Sequence, residues 1–230
     1  MAVLAGGRAE EVVLNVCFHG IGVPGRPLEP GEGKFWVGAA QFEDLLGVIG
    51  RYPWVRVMFD DGNASDAEIA FPALRRHGLT ATFFVIADRI GQPGSVSPAD
   101  VKMLAAGGMR IGSHGKAHRS WRAVDDRELG EELTGAAGLI GAVCGLPVRE
   151  LACPFGFYDR RVLGAIRRCG FERVFTSDGG PARAGAWLQA RYTVKAGDTP
   201  ASLERLCRSP RGGRLESAVR AGKGLVKRWR

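Results

Sequence analysis

VRVMFDDGNASD, from Val55 to Asp66, decides how the chain is read. A run of strand-forming residues leads into two adjacent carboxylates, Asp60 and Asp61, and then into Gly62. A strand interior has no packing use for two acids, and at close range they repel each other. A cation held between them and the rest of the chain would remove that repulsion.

Outward from this stretch, apolar runs alternate with helix-like segments. VVLNVCF (Val12 to Phe18) reads as a buried strand ending at His19 and Gly20, and a Gly/Pro-rich loop runs on to Gly33. A helix is expected around QFEDLLGVIGRY. Ser65 with Glu68 three residues on reads as a capping box, opening a helix that Pro72 should kink or shorten at its start and that stops near His77 and Gly78. LTATFFVIA is the next strand, followed by a helix from about Pro98 to Ala106 and the strand MRIGSH. Asp125 to Cys144 reads as helical, VRELACPFG as extended and YDRRVLGAIRRCG as helix. ERVFTS and LQARYTVK read as strands, and TPASLERLC as a short helix. Strands without a polar face, alternating with helices, indicate a mainly parallel α/β protein, open or closed into a barrel.

The chain has 230 residues and a net charge of +8. Arg208 to Arg230 carries eight Lys or Arg residues and one acid, Glu216, so the segment before it is close to neutral. The basic character belongs to this tail and is a poor argument for a nucleic-acid partner. A division into a domain over 1–207 and a tail over 208–230 is therefore expected. Leu215, Val219, Gly222, Val226 and Trp229 form a narrow apolar stripe among basic residues, which suits an amphipathic helix on an anionic membrane surface. Glu10 and Glu11 interrupt any secretory-signal pattern at the N-terminus, and no stretch approaches about 20 apolar residues. Cys17, Cys144, Cys153, Cys169 and Cys207 are odd in number and show no C-x-x-C spacing, which fits reduced thiols. These features set the expectation of a cytoplasmic protein, with the tail at the inner membrane face.

In parallel α/β folds functional groups gather at the C-terminal ends of strands. Asp60 and Asp61 lie at one such end. His114 and His118 follow another, at a spacing that brings the two rings together if the segment turns helically. Two histidines and one carboxylate make an open tripod for a catalytic divalent metal. Alone, each element has a plainer meaning: a DDG after a strand is a turn, and H-x-x-x-H is a surface coincidence. Their joint occurrence at strand ends, in a chain with four histidines, favours a metal site.

MFDDGNASD, GLTATFFV, IGSHGKAH and CPFG, in this order, resemble the polysaccharide deacetylase pattern (NodB homology, carbohydrate esterase family 4) over about Val13 to Leu206. The resemblance implies a single-domain, distorted (β/α) barrel and a metal-dependent hydrolase acting on a non-peptide carbon–nitrogen bond. Its reaction would be removal of an N-acetyl group from an amino sugar in a glycan or glycoconjugate precursor. It places Asp60 as the base acting on metal-bound water, and Asp61, His114 and His118 as ligands of zinc or of cobalt, nickel or manganese. The amide of Phe155, after Pro154, becomes an oxyanion donor.

Two departures stand out. Ala152 occupies the position where the third motif often has an Arg that orients the base, and no histidine follows His118 to act as the late general acid. His19, at the end of the first strand, is the substitute acid, the plainer alternative being a strand-end cap. Asp178 would orient a ligand histidine or else is a loop residue, and His77 is a helix-end partner. The departures leave two competing readings open, a catalytically inactive glycan-binding relative and a hydrolase of another carbon–nitrogen bond.

Overall fold

The computed structural model describes residues 11–208, so the stripe from Leu215 to Trp229 lies outside the described residues. Val12–Phe18 (β1) and Val55–Asp61 (β2) pair in parallel, with Val16 opposite Val57. Ala81–Val85 (β3), Arg110–Ser113 (β4), Glu150–Ala152 (β5) and Arg173–Thr176 (β6) follow, each parallel to its predecessor. Helices occupy the crossovers: α1 (Ala39–Ile49), α2 (Phe71–Arg76), α3 (Pro98–Ala106), α4 (Asp126–Gly130), α5 (Ala136–Cys144) and α6 (Arg160–Arg168).

Three short strands close the architecture. Ala182–Arg183 (β7) runs antiparallel on β1, Leu188–Ala190 (β8) lies beside β6, and Tyr192–Thr193 (β9) returns to β1. Only Arg191 separates β8 from β9, so the sheet curls back onto its first strand. The result is one domain built on a distorted, nearly closed barrel. Pro200–Arg208 (α7) follows. Among the described residues, no helix is long and apolar enough to cross a membrane.

Alternate residues of each strand serve the two faces of the sheet. Outside, Leu14, Val16, Phe18, Val57, Phe59 and Phe83 pack with residues of α1 and α7 such as Phe42, Leu45 and Leu203. Cys17, Met58, Phe84, Ala152 and Phe175, of the opposite parity, form a separate cluster inside the barrel. Gly112 makes room for Phe84, because a Cβ there would lie 2.4 Å from the ring. One step further along the same parity, His19, Asp60 and His114 reach the cavity at the strands' C-terminal ends.

Three local expectations need correction. Ser65 has helical backbone and makes no side-chain cap; its Oγ accepts the Ile21 N–H at 3.2 Å instead. A π-helical turn, Asp66–Ala70, precedes α2, which places Pro72 in the first turn, where a missing N–H is harmless. LQARYTVK is two strands, broken at Arg191. The helical stretch after Asp125 holds, with Asp125 accepting the Glu128 N–H at 2.7 Å and a π-helical turn, Glu131–Gly135, joining α4 to α5.

Candidate active site

β2 ends with both carboxylates buried. In regular strand geometry, successive side chains would point to opposite faces. Asp61 escapes this by a left-handed backbone, φ 79°, which turns its carboxylate back towards the site. His114 leaves β4 with its N–H on the Val85 carbonyl at 2.8 Å. Its Nδ1 lies 3.0 Å from the Ala152 carbonyl, so the ring proton sits there and the Nε2 lone pair faces inward.

The two histidines meet without a helix. Gly115 and His118 both have positive φ, 83° and 51°, and fold a tight turn that brings the ring centroids to 5.3 Å. Glu132, buried in the turn between α4 and α5, braces it. Its carboxylate accepts from the N–H of Lys116 at 2.7 Å and of Ala117 at 3.3 Å, and from the side chains of Arg119 at 2.8 Å and Trp121 at 3.4 Å.

Asp61 Oδ1 lies 3.6 Å from His114 Nε2 and 3.5 Å from His118 Nε2. One ligand atom from each of the three residues lies within 4.8 Å of the others. Asp61 Oδ1 is buried and has no hydrogen-bond partner. An orphaned carboxylate oxygen facing two imidazole nitrogens is a donor set that fits a divalent ion of the zinc class.

Asp60 has a different partner. Arg191, fully buried between β8 and β9, donates from Nη1 and Nη2 to its two oxygens at 2.6 and 2.7 Å. Burial would raise the Asp60 carboxyl, but the guanidinium and the His114 ring outweigh it and hold it well below the usual carboxylate range. Burial pushes His114 down to about 4, against the pull of Asp60 and Asp61. Asp66, also buried, is driven upward by burial and by the Asp61 and Asp60 charges.

Arg191 is the candidate site residue that sequence reasoning missed. Fully buried, it lies 5.3 Å from the Phe84 ring and 3.3 Å from Cys17 Sγ, two members of the interior cluster that also holds Ala152. The available signal was a lone arginine inside the strand-like run LQARYTV, since a buried guanidinium requires an anion.

Residues 51–174 match the family model described as polysaccharide deacetylase, which is more than half of the chain. The chain belongs to the polysaccharide deacetylase family. YxkH of Bacillus subtilis strain 168, which carries a polysaccharide deacetylase name, is 25% identical over 141 residues, 61% of this chain and 50% of YxkH. The chain thus spans half the length of that curated relative. Among solved structures, Streptococcus pyogenes deacetylase PplD, in complex with acetate, superposes with a TM-score of 0.75 at 18% identity, over 86% of this chain and 98% of PplD. BC0361, a polysaccharide deacetylase from Bacillus cereus, gives 0.76 at 20% identity, over 86% and 69%. At these identities the structures establish the shared fold.

The remaining candidates of this polysaccharide deacetylase family member fall in different places. His19 is half-buried, lines the same cavity of about 300 Å³ and stacks on Phe35 at 5.0 Å. Its buried Nδ1 has no hydrogen-bond partner. Phe155 has φ 57°, and its ring lies 4.4 Å from His118 at the cavity edge. Asp178 accepts from Tyr158 at 2.6 Å and Thr176 at 2.9 Å. It orients neither ligand-type ring, because Ala152 and Glu29 occupy the two Nδ1 positions. His77 caps the C-terminal end of α2 and pairs with Glu43 at 3.0 Å, away from the site.

Proposed function

We propose that this chain is a metal-dependent hydrolase that removes an N-acetyl group from an amino sugar in a glycan or glycoconjugate precursor. The observation that carries this reading is a carboxylate kept ionised by Arg191, with Oδ2 3.9 Å from His114 Nε2, directly beside the Asp61–His114–His118 donor set. A binding module has no chemical need for a charged base next to such a set.

Asp61, His114 and His118 would hold the ion, zinc being the first choice for this donor set. When bound, the ion supplies Lewis-acid polarisation of the acetamide carbonyl and acidifies the attacking water. Asp60 accepts the proton of that water, while Arg191 fixes the direction of its oxygens and leaves their other lone pairs free. The Phe155 amide, presented by a turn with positive φ, serves the developing oxyanion. His19, which lines the same cavity, delivers a proton to the departing amine.

The test is acetate release from a panel of N-acetylated sugars, with metal content measured on the same samples. Asp60→Asn should keep the metal and lose about 10²-fold or more in turnover, whereas Asp61→Asn should lose the metal itself. Equal metal loss in both variants contradicts the two roles. Release of no acetate by a metal-loaded wild-type chain favours the binding module.

A further inference from the structure

We infer that Glu29, on the loop between β1 and α1, is a positioning residue for His118, making that loop part of the metal centre. This rests on the reading of Asp61, His114 and His118 as the ligand set. His118 Nδ1 lies 3.2 Å from Glu29 Oε1. The same oxygen accepts from Arg89, which follows β3. A carboxylate on Nδ1 keeps the proton there, leaves the Nε2 lone pair facing Asp61, and makes the ring a stronger donor. His114 obtains the same tautomer from a backbone carbonyl, so the two rings are aimed by different means.

The loop is built to hold Glu29 in place. Arg26 donates to the two oxygens of Glu32 at 3.0 and 2.5 Å, and both side chains are about nine-tenths buried. Glu32 in turn accepts the Glu29 N–H at 2.8 Å and Trp36 Nε1 at 3.3 Å. Arg26 also donates to Asn63 Oδ1 at 3.0 Å, which ties the loop to the turn that follows Asp61. Gly94 presses against the loop so closely that a Cβ would sit 2.6 Å from the Gly25 carbonyl carbon. His118 needs such support because its left-handed φ is uncommon for a residue with a side chain. Glu132 fixes the backbone before it, and Glu29 fixes the ring.

The experiment is a zinc titration of the full chain against a chromophoric chelator, comparing wild type, Glu29→Ala and Glu29→Gln. Glu29→Ala should weaken zinc by about 10–100-fold, the range for loss of an outer carboxylate. Glu29→Gln keeps an acceptor without the charge and should lose less. The absorption spectrum of the cobalt-substituted protein should change in Glu29→Ala. Val23→Ser, in the same loop at a fully open position, should alter neither quantity. Zinc affinity within twofold of wild type in Glu29→Ala removes the role of Glu29 and leaves the ligand set standing. If wild type binds no zinc, the ligand set falls and takes this role with it. Should Glu29→Ala fail to fold, Glu29→Gln, which keeps the size, carries the comparison.

Discussion

A guanidinium and a carboxylate 131 residues apart in sequence share two hydrogen bonds inside the barrel, and neither side chain is more than 3% exposed. Removing one partner of such a buried pair strands a charge and costs about 3–5 kcal/mol. Arg191→Ala should therefore lower both stability and turnover. Adding Ala152→Arg in that background should restore part of the turnover, because Ala152 belongs to the same interior cluster as Cys17 and Phe84, which Arg191 touches. Arg191→Lys should not match wild type, since a point charge cannot serve both oxygens at once. Denaturant midpoints and kcat for the four proteins check this; equal kcat in wild type and Arg191→Ala would remove Arg191 from the site. Asp60, Asp61, His114 and His118 were legible in the sequence because each pair is set by short-range spacing at a strand end. Arg191 was not, because its partner is chosen by barrel closure. Nor was the left-handed backbone at Asp61, without which the second carboxylate would face the outer helices.

The alternation of strand and helix was readable because fully apolar strands and amphipathic helices carry different periods. The departures from that reading arise where tertiary contacts override local preference. Ser65 gives its oxygen to Ile21 instead of its own helix, and two π-helical turns adjust the helix faces. Two glycines show how differently one residue type behaves in the two kinds of element. In β4, Gly112→Ala places a methyl 2.4 Å from the Phe84 ring and 3.1 Å from the Glu150 carbonyl oxygen. Overpacking of this kind costs about 1–3 kcal/mol. In α1, Gly47 is exposed with nothing within 4 Å, so Gly47→Ala should stabilise by roughly 0.5–1 kcal/mol. Urea unfolding of both variants tests the contrast, and effects of the same sign would refute the packing assigned to the barrel interior.

The molecule as a whole has two unlike ends. Asp60 and Asp61 finish β2, whereas Trp54, just before that strand, donates from Nε1 to the Cys207 carbonyl at 3.0 Å. The chain thus passes Arg208 at the end of the barrel opposite the site. We propose that the basic tail contacts anionic membranes. Full-length protein should float with anionic liposomes and release as salt rises, while a chain ending at Cys207 should not float and should keep its turnover on soluble acetylated sugars. Equal flotation of the two proteins would rule the tail out. The closing seam of the barrel also has a meaning for a chain made from its N-terminus. β1 is an early strand to leave the ribosome, yet the edge it presents away from β2 waits for β7 and β9. Asp60 waits with it, lacking the guanidinium that pairs both its oxygens until residue 191 has been made. A product cut short before that residue holds the complete donor set beside an open sheet edge and an acid without that partner. The proposed base gains its guanidinium partner together with the residues that seal the ring.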